Sequence, residues 1–479
     1  MNYTFNKKFI LTLVLFVLFS LVILEIYLNY GVGWDFVAHY LSARALISSN
    51  FTNFVHSAVA KNQTSINFGI IETKKLYFET YRAPLSIVIM AIIELFLSKY
   101  IILLYLFLMV ILLFIGSFYL SKSLNIEFIL LSSLLLMPYL FIFPFIINSE
   151  EMLSLSLMLI ALGFILKGKW QAGIFLGLAS LSKYTSLIFL PLLLFSGSKK
   201  KIIYSYLAFG ITTLPWFLFN YVFFGNPIYS YLSSIQVSLE SSVPSTISII
   251  SLLILFANFI PAIFAIILFQ YKKLIGNKIK KPINKIKKIY ATDPKLFPIT
   301  VFFILSIIEF IILGTHEDIF DQTRYAYFLY ASIAIILSIY ITKIRSFANE
   351  KDKYKTILYI IYIFSFVLMI LSVLILYVNH GQILGINKMS ILYQFRQSNI
   401  TITSFNVGNC SVISNDWVYL RYYGISAFSP YSHTLNSSNY LKITFNNIGT
   451  SPNAIQTQND KILYHNSNFT IFSNRSSNC

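Results

Sequence analysis

Long uncharged apolar runs alternate with short polar stretches along most of the chain. They cover residues 9–29, 100–120, 126–147, 151–166, 171–196, 202–224, 245–270, 296–314, 325–342 and 356–378. A helix needs about 20 apolar residues to cross a bilayer, so the pattern predicts an all-α polytopic membrane protein. The run at 84–98 is shorter and carries Glu94; it is predicted as a helix lying along the interface. The run 171–196 is broken by Ser180, Ser182 and Lys183 and is predicted to make two short spans with a turn between them. About eleven transmembrane helices result.

Past residue 378 the pattern changes. Residues 379–479 are rich in Asn, Ser, Tyr and Thr. Short alternating runs, WVYLRYY (417–423), YLKITF (440–445) and FTIF (469–472), are separated by turn residues. These predict strands and a small β-rich domain. The chain thus divides into a membrane module, 1–378, with a large outer loop at 30–99, and a C-terminal domain, 379–479.

Composition narrows the class. Hydrophobic residues make up 57% and charged residues 11%, against about 25% charged in a soluble domain. The formal net charge of +18 would suggest a nucleic-acid partner in a soluble protein. Here it is the signature of cytoplasmic loops, and no nucleic-acid partner is inferred. With the spans counted as above, Lys7, Lys8, Lys122, Lys167, Lys169, Lys199–Lys201, the nine lysines between 272 and 295, and the lysines from Lys343 to Lys355 all fall on one side. That side is the cytoplasm, with the N-terminus inside, the first run an uncleaved signal anchor, and the C-terminus outside. The basic loop 271–295 is also a patch for anionic membrane lipids.

Glycosylation sequons at Asn50, Asn62, Asn399, Asn409, Asn436, Asn468 and Asn474 lie on the predicted outer side; Asn2 does not. The two cysteines, Cys410 and Cys479, both lie in the outer tail and suggest one disulfide in an oxidising compartment. The Ile/Tyr/Lys/Asn-rich composition with outer sequons leans toward an archaeal cell membrane; the endoplasmic reticulum shares the topology.

The polar groups that interrupt the apolar pattern are the candidates for chemistry. Asp35 follows the first span in GWDFVAHYLSARAL. A carboxylate at the mouth of a span is partly desolvated and suited to proton abstraction. His39, one helical turn on, either shares that site or lines the interface. Arg44 is expected to pair with Asp35 or to bind phosphate. Arg82, in YRAPL, precedes the proline that opens the next helix. It is either a phosphate contact at that helix's positive end or a snorkelling interfacial arginine.

Glu150 and Glu151, in INSEEML, either position an acceptor or a metal or belong to a helix start capped by Asn148 or Ser149. Lys183 lies inside an apolar stretch, where a cation is costly and marks function. The stretch HEDIFDQTRY (316–325) mixes acids, expected to be solvated, with Arg324, a candidate contact to a pyrophosphate or phosphate. Glu25 and Glu309 lie deeper in helices, as packing or water-cavity residues. Asp35, Arg82, Glu150, Lys183 and Arg324 are all predicted on one face of the membrane.

In order and spacing, GWDFVAHYLSARAL, YRAPL, NSEEMLSLSLMLIALGF, AGIFLGLASLSKYTSLIFLPLLL, LPWFLFNYVFFGNPIYSY and TRYAYFLYASIAIIL resemble the GT-C superfamily of lipid-carrier-dependent glycosyltransferases. That group includes the dolichyl- and polyprenyl-phosphate-mannose mannosyltransferases and the aminoarabinose transferases. The resemblance covers roughly residues 5–345. It implies inverting transfer of one sugar, a mannose-like hexose, from a polyprenyl or dolichyl phosphate to a protein, lipid or glycan acceptor at the extracytoplasmic face. It implies Asp35 as general base and Arg82, Lys183 and Arg324 as contacts to the donor phosphate. Glu150 or Glu151 takes the place of a second acidic residue, and a divalent cation is a candidate cofactor. Two departures stand out: Asp35 is followed by Phe36 where many members have Glu, and Ala83-Pro84 replaces Pro-Pro.

Two other functions fit a chain of this kind. A transporter or flippase of lipid-linked sugars would be built from opposed repeats, and no internal repeat is visible. A non-catalytic scaffold would act through the outer tail alone.

Overall fold

The computed structural model describes residues 7–30, 33–60, 70–72, 76–97, 100–136, 150–241, 259, 295–314, 325–348, 356, 358–368, 370–371, 411–414, 417–422, 427–428, 440–445, 460–465 and 469–474. Helices dominate it. In order they are α1 (Lys7–Tyr30), α2 (Trp34–Leu46), α3 (Phe51–Ala60), α4 (Pro84–Leu97), α5 (Ile101–Leu124), α6 (128–136), α7 (Glu151–Leu166), α8 (Ala172–Ser182), a 3-10 helix (Tyr184–Phe195), α9 (Lys199–Phe224) and α10 (Tyr229–Ser241). Then come α11 (Leu296–Gly314), α12 (Tyr327–Ala348) and α13 (Leu358–Leu368).

Four helices among the described residues are long and apolar enough to cross a membrane: Lys8–Glu25, Ile101–Leu124, Lys199–Phe224 and Leu296–Leu313. The other apolar helices are shorter. The expected span at 126–147 is described as far as residue 136, and that at 245–270 lies outside the described residues except for residue 259. The helix at Pro84–Leu97 rises only about 21 Å, less than a ~30 Å hydrocarbon layer.

The run 171–196 breaks where its polar residues stand. α8 ends at Ser182, Lys183 is extended (φ −153°, ψ 121°), and the 3-10 helix begins at Tyr184. The chain folds back there: Gly168, before α8, and Gly197, after the 3-10 helix, lie against each other. Small residues let the neighbouring helices approach. A Cβ on Gly116 of α5 would come within 2.7 Å of the Ser156 carbonyl of α7, and one on Gly173 of α8 would run into the backbone of Ser205 on α9. Phe189 ties the 3-10 helix to Phe302 of α11 and Phe328 of α12. On α9, Ile203, Leu207, Ile211, Leu214, Leu218 and Val222 form an exposed apolar stripe at helical spacing.

One end of the molecule gathers lysines. Lys8 pairs with Glu127 just after α5 at 2.7 Å, and Lys295 donates to the Ser123 carbonyl. Lys167 at the end of α7 lies within electrostatic reach of Lys169, Lys122 and Lys295. α1 and α7 each run from this end to the other, where Tyr30 and Glu151 lie.

A short antiparallel hairpin, β1 (Ile70–Glu72) and β2 (Tyr77–Glu79), precedes α4 and pairs Ile70 with Glu79. The C-terminal segment contributes β3 (Ser411–Ser414), α14 (Trp417–Tyr422), β4 (Ala427–Phe428), β5 (Tyr440–Phe445), β6 (Asp460–His465) and β7 (Phe469–Asn474). These strands form one mixed sheet in the order β4-β3-β5-β7-β6, with β3 parallel to both neighbours. YLKITF and FTIF are strands as expected. WVYLRYY is not: its first six residues are helix α14, with Trp417, Val418 and Leu420 buried. An apolar run this short fits a helical turn and a strand equally well.

Candidate active site

At the end of the helices away from the lysines, α2 presents Asp35 in its first turn. Gly33 precedes α2 in extended conformation, so the helix starts sharply and aims Asp35 at the chain returning from the hairpin. There Arg82 Nη2 lies 2.7 Å from Asp35 Oδ1. Arg82 also donates through Nε to Glu79 Oε2. The guanidinium is thus held by two carboxylates, two residues ahead of the proline that opens α4. Burial alone would lower its pKa, but Asp35 and Glu79 drive it well above the ordinary value. It stays a cation at any working pH.

The two carboxylates differ. Glu79 is fully buried, accepts from the Tyr77 hydroxyl, and has its backbone N–H on Ser42 Oγ at 3.1 Å. The Asp35 side chain is 18% exposed. Glu79 therefore lies in the interior and Asp35 nearer the surface.

A second pair lies alongside. Lys183 Nζ, at the break between α8 and the 3-10 helix, is 2.5 Å from Glu151 Oε1 at the start of α7. The rings of Tyr325 and Tyr327 face the same ammonium at 4.6 and 5.5 Å. Glu309 is buried within electrostatic reach of both members. The two pairs are joined. Tyr184 donates its hydroxyl to the Arg82 carbonyl at 3.1 Å and accepts from Trp216 Nε1 at 2.8 Å. On the other side, His39 Nδ1 contacts the Asp35 carbonyl at 2.7 Å, and its Nε2 lies 3.5 Å from Glu150 Oε2.

Because a carbonyl oxygen only accepts, Nδ1 carries the proton in that contact, leaving Nε2 toward the Glu150 carboxyl. Asp35 with Arg82 and Glu151 with Lys183 thus form two ion pairs set close together among apolar helices, with His39 and Glu150 beside them and no hydrogen bond between His39 Nε2 and Glu150 Oε2.

Six expected site residues are brought together. Arg324, Cys410 and Cys479 lie outside the described residues. Of the two roles expected for Arg44, the pairing with Asp35 is not adopted: its side chain is 58% exposed and faces Glu94 at 3.7 Å. Nine residues separate Arg44 from Asp35, about two and a half turns at 3.6 residues per turn, which puts them on opposite faces of α2. Glu150 takes the N-cap position of α7 without a side-chain cap bond, and Glu151 its first turn. Among the described residues, no group of three or more His, Cys, Asp or Glu side chains is placed to hold a metal ion.

Three residues of the site escape a sequence reading: Glu79, Tyr77 and Tyr184. The only available signal was the acid three positions before Arg82 in YFETYRAP.

No family model matches the chain, and no curated protein matches it in sequence. Two solved structures show similarity to the chain. One is the oligosaccharyltransferase of Archaeoglobus fulgidus in its apo form, at 11% identity and TM-score 0.38, covering 91% of this chain and 66% of that one. The other is the archaeal oligosaccharyltransferase AglB from the same organism in complex with an inhibitory peptide and a dolichol-phosphate, at 11% identity and TM-score 0.39, covering 92% and 70%. The chain spans just under two thirds of the length of the first.

Proposed function

We propose that the chain is a membrane-embedded glycosyltransferase of the GT-C type, transferring a mannose-like hexose from a polyprenyl or dolichyl phosphate to a protein acceptor. The observation that carries this is the contact between Asp35 and Arg82 at the start of α4. It puts one partly exposed carboxylate and one permanent cation side by side at the end of the apolar helices. A lipid-borne phosphate needs the cation, and an acceptor hydroxyl needs the base.

In the transfer, the acceptor oxygen forms a bond to the anomeric carbon on the face opposite the phosphate. The bond from that carbon to the phosphate oxygen breaks, its electron pair leaving with the polyprenyl phosphate. The acceptor proton passes to Asp35. Configuration inverts, and Arg82 stabilises the charge that grows on the leaving phosphate. Lys183 and Arg324 are further candidate phosphate contacts; His39, Glu150 and Glu151 border the acceptor side.

The lysine end of the helices faces the cytoplasm under the positive-inside rule. On this reading the site lies at the extracytoplasmic rim, with the N-terminus inside and the C-terminus outside.

The test is Asp35→Asn in purified protein, supplied with a polyprenyl-phosphate hexose and a peptide acceptor. Loss of about 100-fold or more in turnover is expected for removal of a general base. Turnover at the wild-type rate would reject the assignment of Asp35.

A further inference from the structure

The C-terminal segment reaches the floor of this site. Arg421, on α14, donates through Nη1 to the Leu76 carbonyl at 3.3 Å, and its guanidinium lies 5.5 Å from the centre of the Tyr77 ring. The same side chain is anchored in its own segment. Its Nε donates to the Ala427 carbonyl of β4, and the Phe428 ring faces it at 5.3 Å. Arg421 therefore holds the edge of the sheet and strand β2 together.

What it holds matters. Tyr77 and Glu79 are alternate residues of β2, so both side chains point to the same face of the strand. The Tyr77 hydroxyl donates to Glu79, Glu79 accepts from Arg82 Nε, and Arg82 meets Asp35. The strand is only three residues long and pairs with another of three. A hairpin that small is marginal on its own, so the placement of Glu79 must come from tertiary contacts. Ser42 Oγ supplies one at the Glu79 backbone, and Arg421 supplies another at Tyr77.

We infer that Arg421 is a positioning residue for the reaction: it acts through Tyr77 and Glu79 to fix the Arg82 guanidinium where the donor phosphate binds. The inference rests on the reading of Asp35 and Arg82 as the transfer site. It assigns the tail a role inside the active site's support rather than a separate binding activity.

The test compares Arg421→Ala, Arg421→Lys, Tyr77→Phe and the Arg421→Ala/Tyr77→Phe double variant as full-length protein in lipid nanodiscs. Two readouts are taken: amide hydrogen exchange across residues 76–82, and turnover with a polyprenyl-phosphate hexose. Arg421→Ala is expected to speed exchange over 76–82 and lower kcat about tenfold, with KM for the acceptor unchanged. Arg421→Lys, which keeps a cation over Tyr77, recovers part of the rate. The double variant loses little more than either single one, because both act on the same link.

Unchanged exchange over 76–82 in Arg421→Ala overturns the inference, as does a double variant whose losses multiply. Protein that shows the exchange response but transfers no sugar sinks the glycosyltransferase reading and leaves the Arg421–Tyr77 coupling standing.

Discussion

Arg82 Nη2 and Asp35 Oδ1 lie 2.7 Å apart. The proposed base and the proposed phosphate anchor are thus each other's partners before any substrate arrives. A phosphate that binds Arg82 must compete with Asp35 for the same guanidinium. Asp35→Asn removes the competing charge and keeps the shape. Polyprenyl monophosphate is therefore expected to bind the variant more tightly, by about tenfold for an interaction of this size near a surface, while turnover collapses. Microscale thermophoresis in nanodiscs reads the affinity. Weaker binding to Asp35→Asn than to wild type would mean that Asp35 helps to hold the donor rather than opposing it.

Glu79 is expected to behave in the opposite sense. It is fully buried behind Arg82 and cannot face a ligand arriving from the Asp35 side. Glu79→Gln removes a charge-assisted hydrogen bond worth about 1.5–3 kcal/mol and lets the guanidinium swing. Donor binding should weaken about tenfold, with turnover falling in parallel. Equal or tighter binding of polyprenyl monophosphate to Glu79→Gln would show that Glu79 does not orient Arg82.

Much of this arrangement was legible in the sequence, and what was not has physical causes. Apolar runs at 100–120, 202–224 and 296–314 became α5, α9 and α11 within a few residues, because long uniform hydrophobicity leaves a helix few alternatives. The serines and lysine at 180–183 marked a real break. Spacing within α2 puts His39 on the face of Asp35 and Arg44, about two and a half turns from Asp35, on the opposite one. Glu79 and Tyr77 carried only the short spacing to Arg82, three and five positions on, which does not by itself mark a site. Tyr184 carried no signal, because its role depends on a contact between segments far apart in the chain, its hydroxyl on the Arg82 carbonyl. Helix α14 differs from the expected strand because six residues cannot distinguish the two periods.

Lys183 and Glu151 test how far charge pairing and function overlap. Both are buried, at 8% and 0% exposure. Lys183→Met leaves the Glu151 carboxylate uncompensated, which costs about 3–5 kcal/mol for a buried pair. The melting temperature in detergent should fall sharply. The double variant Lys183→Met/Glu151→Gln removes both charges and should recover most of the lost stability. If the lysine also contacts the donor phosphate, the double variant stays weak in donor binding despite its restored stability. Full recovery of both would confine the pair to a structural role.

Helix packing gives a prediction independent of chemistry. Gly173 and Gly210 both lie in helices, but a Cβ on Gly173 would overlap the backbone of Ser205, whereas one on Gly210 meets nothing within 4 Å. Gly173→Ala must therefore push α8 away from α9. Overpacking of this kind costs about 1–3 kcal/mol. Gly210→Ala should instead stabilise α9 by up to about 1 kcal/mol, the difference in helix propensity between the two residues. Differential scanning fluorimetry on the two variants should separate them in sign. Equal melting temperatures would mean that α8 and α9 do not meet at Gly173.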